Sequence, residues 1–157
     1  MKYQLNKKVI MRKTVVMIVL LITANAEAQN QEIQNVIETF FEAFHAKDTL
    51  RLKTICDETM MLQSISENAK GTRLTNEKLQ AFFKSIASIP TEVKFQEKIL
   101  NYSIQIDGSM AHVWTPYEFY VDGKLIHKGV NAVTLFRKDT PETSEWKIVH
   151  IIDTRRK

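Results

Sequence analysis

The sequence predicts an α+β fold, with amphipathic helices at the front and a curved antiparallel sheet behind them. Three observations predict it. From Tyr102 to Arg155 the chain reads as four strands, with Asp107-Gly108 and Asp122-Gly123 as hairpin signals between alternating runs. Ahead of them, two stretches carry apolar residues at helical spacing. Three of the four glycines, Gly108, Gly123 and Gly129, fall in the sheet region, where they mark turns or a bend. Long bent strands closing over helices leave a cone with a cavity inside.

At the front, Lys2, Lys7, Lys8, Arg12 and Lys13 precede an uncharged apolar run from Thr14 to Ala24. That run is too short for a spanning helix, which needs about 20 residues. It fits the apolar core of a secretory signal, and Ala26-Glu27-Ala28 supplies a cleavage site. The expected organisation is a signal peptide over 1–28 and one domain over 29–157, in a periplasmic or secreted protein. Met1 and Met11 are both possible starts, and an N-terminal anchor or core helix is the competing reading of the apolar run. No cysteine follows the run, so a lipid anchor is not expected, nor any stable membrane association after cleavage.

The signal accounts for the basic balance. Taking its five basic residues and one acidic residue from totals of 22 and 18 leaves 17 of each. Neither that neutral remainder nor any motif points to nucleic acid, and Arg155-Arg156-Lys157 is an ordinary basic tail. Cys56 is the single cysteine, so no intrachain disulfide forms; Leu52 and Ile55 beside it suggest a buried thiol.

Glu32 to Ala46 carries Ile33, Val36, Ile37, Phe40 and Phe44 on one helical stripe. Asp48 or Thr49 can cap a short second helix through Cys56. Met60 to Ile65 suggests a short strand. Asn76 can cap a third helix with Leu79, Phe82, Phe83 and Ile86 on one face, ended by Pro90. Phe95 to Ile106 begins the long strands.

This order resembles the nuclear transport factor 2-like superfamily, which includes SnoaL-like cyclases, ketosteroid isomerase and scytalone dehydratase. Val36-Ile37-Glu-Thr-Phe40 with Asp48, Ala111-His-Val113, the aromatic strand Tyr117 to Val121 and Trp146-Lys-Ile148-Val-His150 carry the resemblance. Trp114-Thr-Pro-Tyr117-Glu-Phe119 followed by Asp122-Gly123-Lys124 looks most like the lumazine-binding branch of exported bacterial proteins. The resemblance implies a cystatin-like roll over nearly the whole of 29–157, and pairing of subunits by their sheets. It does not extend to the acidic base and oxyanion pair of ketosteroid isomerase, so isomerase chemistry is not implied.

Strand parity selects the candidate site. The odd residues of Ala111 to Val121 form the core-like set, and so do the odd residues of Leu125 to Arg137. A type I turn with Gly123 in a bulge then sets Tyr117 opposite His127 and Val113 opposite Asn131. In the last strand Trp146 and Ile148 face inward, which takes His150 inward and Asp153 outward unless a bulge intervenes. The expected ligand-binding set is Tyr117, His127, Asn131 and His150, with Phe40, Phe44, Phe82 and Phe119 as apolar walls. His127, His150 and Tyr117 are the catalytic candidates. Each of these can equally be a core polar residue satisfied by its neighbours. His45 is expected at an exposed helix end and His112 toward solvent.

The histidines lack metal-ligand spacing, and no nucleophile elbow, phosphate loop or dinucleotide fingerprint occurs; neither metal nor cofactor is expected. Three functions stay open: an exported small-molecule-binding protein, a cofactor-free lyase, isomerase or hydrolase using a pocket histidine, and a non-catalytic dimeric interaction module. Trp114, Pro116, Tyr120, Ile126 and Val130 share the outward parity and predict a homodimer through the outer sheet face.

Overall fold

The computed structural model describes residues 27–69 and 71–157. The expected signal peptide lies almost wholly outside the described residues; Glu27 and Ala28 are described, at the start of the helical residues 27–45 (α1). Among the described residues no helix is long and apolar enough to cross a membrane. Ile33–Lys157 forms one compact unit; of Met1–Glu32, residues 27–32 are described and helical.

Within Ile33–Lys157 the elements follow the expected order with two changes: a polar strand precedes the third helix, and Phe95 to Ile106 divides into two strands. After α1 come α2 (Thr49–Ile55), β1 (Cys56–Asn68), β2 (Gly71–Lys78), α3 (Leu79–Ala87), β3 (Phe95–Ile99), β4 (Ser103–Asp107), β5 (Met110–Val121), β6 (Lys124–Asp139) and β7 (Ser144–Arg156). The apolar stripe of α1 buries Ile33, Ile37 and Phe40, with Val36 and Phe44 packed against the same core. Asp48 caps α2 by accepting from the Arg51 N–H at 2.9 Å. Leu79, Phe82, Phe83 and Ile86 are the buried face of α3. Asn76, expected as its cap, lies instead inside β2. This edge strand has no apolar alternation; its Thr, Arg, Asn and Glu residues are nearly all exposed, so the sequence signal for a strand is missing.

The seven strands form one sheet in the order β2-β1-β7-β6-β5-β3, with β4 also on β5. It is mixed rather than wholly antiparallel, because β1 runs parallel to β7. Helix α3 and five strands intervene between them, ample chain for a crossover.

Two irregularities decide which side chains face the helices. Asp122 and Gly123 both have positive φ, 48° and 77°, so the β5–β6 connection is a two-residue type I′ turn. The expected type I turn with a bulge at Gly123 is therefore corrected. Such a tight turn alone would set unlike faces together. A bulge opposite Phe119/Tyr120, with Ile126 as the extra residue, restores the parity. The inward set is as expected from His127 onward, but Leu125, expected inward, lies before the bulge, pairs with outward Tyr120 and is exposed. Partners also shift by two: Tyr117 pairs with Gly129, Phe119 with His127 and Thr115 with Asn131.

The second bulge lies between Thr134 and Leu135, where β7 has Val149 as the extra residue. Ile148 faces inward before it, and Ile151 and Asp153 face inward after it. His150 turns to the outer face opposite Thr134, reversing the sequence expectation for both His150 and Asp153.

Gly129 is required by a close approach. A Cβ there would meet the Thr154 carbonyl oxygen at 1.6 Å and Tyr117 Cε1 at 3.0 Å. Its bare backbone lets β7 and the Tyr117 ring close over β6.

Candidate functional site

Between the helices and the inner sheet face lies a cavity of about 690 Å³. That is ample for a small molecule, since ligand pockets run from about 300 to 1,000 Å³. Helices α1 and α3 supply one wall. Phe44 is its hub: its ring stacks on Phe40 at 6.3 Å and on Phe82 at 6.0 Å, and meets Phe95 edge-on at 4.9 Å. The ring contacts continue along the sheet. Phe95 touches Phe119 at 6.1 Å, Phe119 stacks on His127 at 4.9 Å, and His127 meets Tyr117 edge-on at 5.8 Å.

The sheet side gathers the polar groups, and its centre is a pair of carboxylates with different surroundings. Asp153, on β7, is buried. It accepts from the Ser64 hydroxyl, the Tyr117 hydroxyl at 3.1 Å, and Arg155 Nε at 2.7 Å and Nη2 at 3.4 Å. The Tyr117 hydroxyl also lies 3.0 Å from the Thr154 carbonyl oxygen.

Glu97, on β3, has one side-chain partner. Asn131 Nδ2 donates to its Oε1 at 2.6 Å, and among the described residues no donor meets its other oxygen. Its own N–H donates to His45 Nε2 at 2.8 Å. Burial pushes the Glu97 carboxyl up to about 7, and the charge of Asp153 adds to this; the Asn131 bond and Arg155 oppose it. Glu97 is thus poised to gain or lose a proton near neutrality.

The remaining ionisable groups follow their surroundings. Burial lowers His127, Arg155 lowers it further, and Asp153 acts the other way. Burial also lowers His45. Tyr117 is raised, first by burial and then by the charges of Asp153 and Glu97. Burial works against the charge of Arg155, but the bond and charge of Asp153 outweigh it and raise the guanidinium.

Of the sequence-predicted residues, Tyr117, His127, Asn131, Phe40, Phe44, Phe82 and Phe119 all line the cavity. His150 does not. Its Nε2 lies 3.0 Å from Gln63 Oε1, and its strand partner across the outer face is Thr134. It is therefore removed from both the ligand-binding and the catalytic candidates. His45 is half-buried against Phe44 and Phe95 rather than exposed. His112 is on the outer face, 3.4 Å from Thr134 Oγ1. Glu97, Asp153 and Arg155 were missed. For Glu97 a signal existed: Phe95, Glu97 and Ile99 alternate, which sets a lone acid between two core residues.

Cys56 is buried, and burial pushes its thiol up to about 12, against Lys147, which favours the thiolate. That describes an inert core residue. Among the described residues no cluster of His, Cys, Asp and Glu could hold a metal ion.

No family model and no curated protein sequence matches the chain. Solved structures do. An NTF2-like protein of Cytophaga hutchinsonii superposes with a TM-score of 0.65 at 13% identity, over 82% of this chain and 98% of that one. The chain has an NTF2-like fold. It is also similar to the hexachlorocyclohexane dehydrochlorinase LinA-type3 of Novosphingobium barchaimii (TM-score 0.63, 12% identity, 86% and 91% coverage). A third match, a protein of unknown function with a cystatin-like fold from Nostoc punctiforme, has a TM-score of 0.60 at 9% identity, covering 80% and 90%. The matched structures thus include an enzyme and a protein of unknown function, so activity must be argued from the site.

Proposed function

We propose that this chain is an exported small-molecule-binding protein whose cone holds a planar or aromatic ligand. The carrying observation is the cavity itself: about 690 Å³, walled by stacked rings, with Glu97, Asn131 and His127 converging at its polar end. Convergent polar groups in an otherwise apolar cavity fix a ligand's orientation. Filled structural modules have no need of them. The likeness to the lumazine-binding branch supports a ring-bearing ligand. Native mass spectrometry of protein purified from its own host should show a co-purifying molecule, its occupancy reduced by Phe44→Trp, which adds bulk at the hub of the ring wall. An unliganded protein that no aromatic compound stabilises against heat would contradict the proposal.

A second reading is a cofactor-free enzyme, a lyase, isomerase or hydrolase. Two observations favour it. Glu97 has an open oxygen and a pKa near neutrality, the requirement for a general acid or base. The dehydrochlorinase neighbour is by its name an eliminating enzyme. In this reading Glu97 takes the proton, with His127, whose neutral form burial favours, as a second acceptor on the same wall and Tyr117 held on Asp153. Turnover lost in Glu97→Gln and kept in His127→Asn would establish that order.

Two further properties belong to the proposal. Export with cleavage after Ala28 is read from the sequence order, and the intact mass of secreted or periplasmic material tests it. A homodimer through the outer face is read from exposed Trp114 and Ile126, with Pro116, Tyr120 and Val130 around them. Sedimentation showing only monomer at micromolar concentration would contradict that dimer.

A further inference from the structure

The cavity's charge is lopsided. Asp153 and Glu97 face its polar end, and Glu77 lines it from β2. The cation among the lining residues is Arg155, whose guanidinium is already paired with Asp153 at 2.7 Å. Burial and then Arg155 lower the His127 imidazole, which disfavours its charged form, while Asp153 acts the other way. A carboxylate ligand would meet two acids and no free cation. Glu97 itself has an oxygen facing a ring-lined cavity with no donor on it among the described residues. A partly buried carboxylate oxygen in that position can be completed by a proton, by a neutral donor or, most strongly, by a cation.

The rings around Glu97 favour the cation. Phe95 is two residues away on the same strand face, and Phe119 is its direct cross-strand partner on β5. Phe44 packs on Phe95 at 4.9 Å. Ring faces attract an ammonium, and a carboxylate at the end of a ring-lined cavity adds charge and direction.

We propose that the ligand is an amine on an apolar or aromatic body, its ammonium held by the open oxygen of Glu97 beside the rings of Phe95 and Phe119. This rests on the reading that the cavity holds a ligand, and it names the ligand's class. The ammonium donates to Glu97, whose first oxygen remains on Asn131. Asp153 stays with Ser64, Tyr117 and Arg155 and takes no part in the contact.

Proton linkage follows. The ionisable groups around Glu97 are His45 on α1, Glu77 on β2, Tyr117 on β5, His127 on β6, and Asp153 and Arg155 on β7; α3 contributes apolar residues and Ser85. Amine binding selects ionised Glu97, so it releases a proton near neutral pH and tightens as pH rises. A neutral ligand accepting a hydrogen bond from protonated Glu97 would show the opposite sign.

The test is isothermal titration calorimetry with three probes of similar size: 2-phenylethylamine, 2-phenylethanol and 3-phenylpropionate. Wild type and Glu97→Gln are each titrated at about pH 6 and about pH 8. The substituted amide keeps an acceptor for Asn131, so the variant retains the fold, which circular dichroism checks. The expected result at the higher pH is an amine about tenfold tighter than the alcohol, with the acid weakest. Amine affinity should fall about tenfold at the lower pH as Glu97 takes up its proton. The preference should vanish in Glu97→Gln. An alcohol that binds as tightly as the amine, or an amine preference that survives Glu97→Gln, overturns the inference and leaves the cavity reading standing. No binding by any probe overturns both.

Discussion

The strands β3 and β7 each bring one carboxylate to the same cavity, and the two are treated in opposite ways. Asp153 comes from a central strand, between β1 and β6. Hydroxyls from β1 and β5 and the guanidinium two residues on all reach it. Glu97 comes from β3 at the end of the sheet order, and one amide reaches it. Asp153 is buried and Glu97 partly so, and burial alone does not separate their roles. The number of donors does. A carboxylate with its acceptor sites filled is a structural tie, whereas one left partly open carries a raised pKa and an unmet need for a donor.

Removing the tie should have the largest effect. Asp153→Ala leaves Arg155, Tyr117 and Ser64 without their shared acceptor. Removing one partner of a buried ion pair costs about 3–5 kcal/mol, and half-exposed Arg155 places this case at the low end. Urea denaturation measures it. A loss near zero would erase the contrast between the two acids.

Glu97→Gln should act in the opposite direction and depend on pH. With its carboxyl raised to about 7 from an ordinary 4.5, the folded protein binds more protons than the unfolded chain between those values. The stability that Glu97 contributes is therefore full below about pH 4.5 and is lost as pH rises through 7. Glutamine removes that loss. The variant should gain up to about 3 kcal/mol at pH 8 relative to wild type, and much less at pH 5. Denaturation curves at both pH values check the sign; an equal effect at each would assign the gain to something other than ionisation.

A smaller effect belongs to Thr115, opposite Asn131 on β6. Its hydroxyl is buried, with no partner among the described residues. Leaving such a group unsatisfied costs about 1–3 kcal/mol, so Thr115→Val, of the same shape, should raise the melting temperature. A lowered one would mean the hydroxyl has a role that the contrast of the two acids does not include.

The contrast also explains what the sequence made legible. Helix stripes and alternation in β5 were readable because Ile33, Ile37, Phe40, Val113 and Tyr117 face one continuous core. Tyr117, His127, Asn131 and the phenylalanines followed from that parity. Asp153 and His150 did not, since one extra residue at Val149 exchanges their faces and nothing in Ile148-Val-His-Ile-Ile-Asp153 marks a bulge. The β5–β6 turn shows the same limit: its tight form and the bulge at Ile126 cancel in parity, so the correct faces emerged from incorrect partners. Polar β2 has no apolar face to betray it.

The central claim is that Glu97 is the open acid of this cavity. Carbon-detected NMR titration of the Glu97 side-chain carboxyl tests it most directly. The expected midpoint lies near 7 and shifts downward when an amine occupies the cavity. A midpoint at the ordinary glutamate value, unmoved by amine, would contradict it.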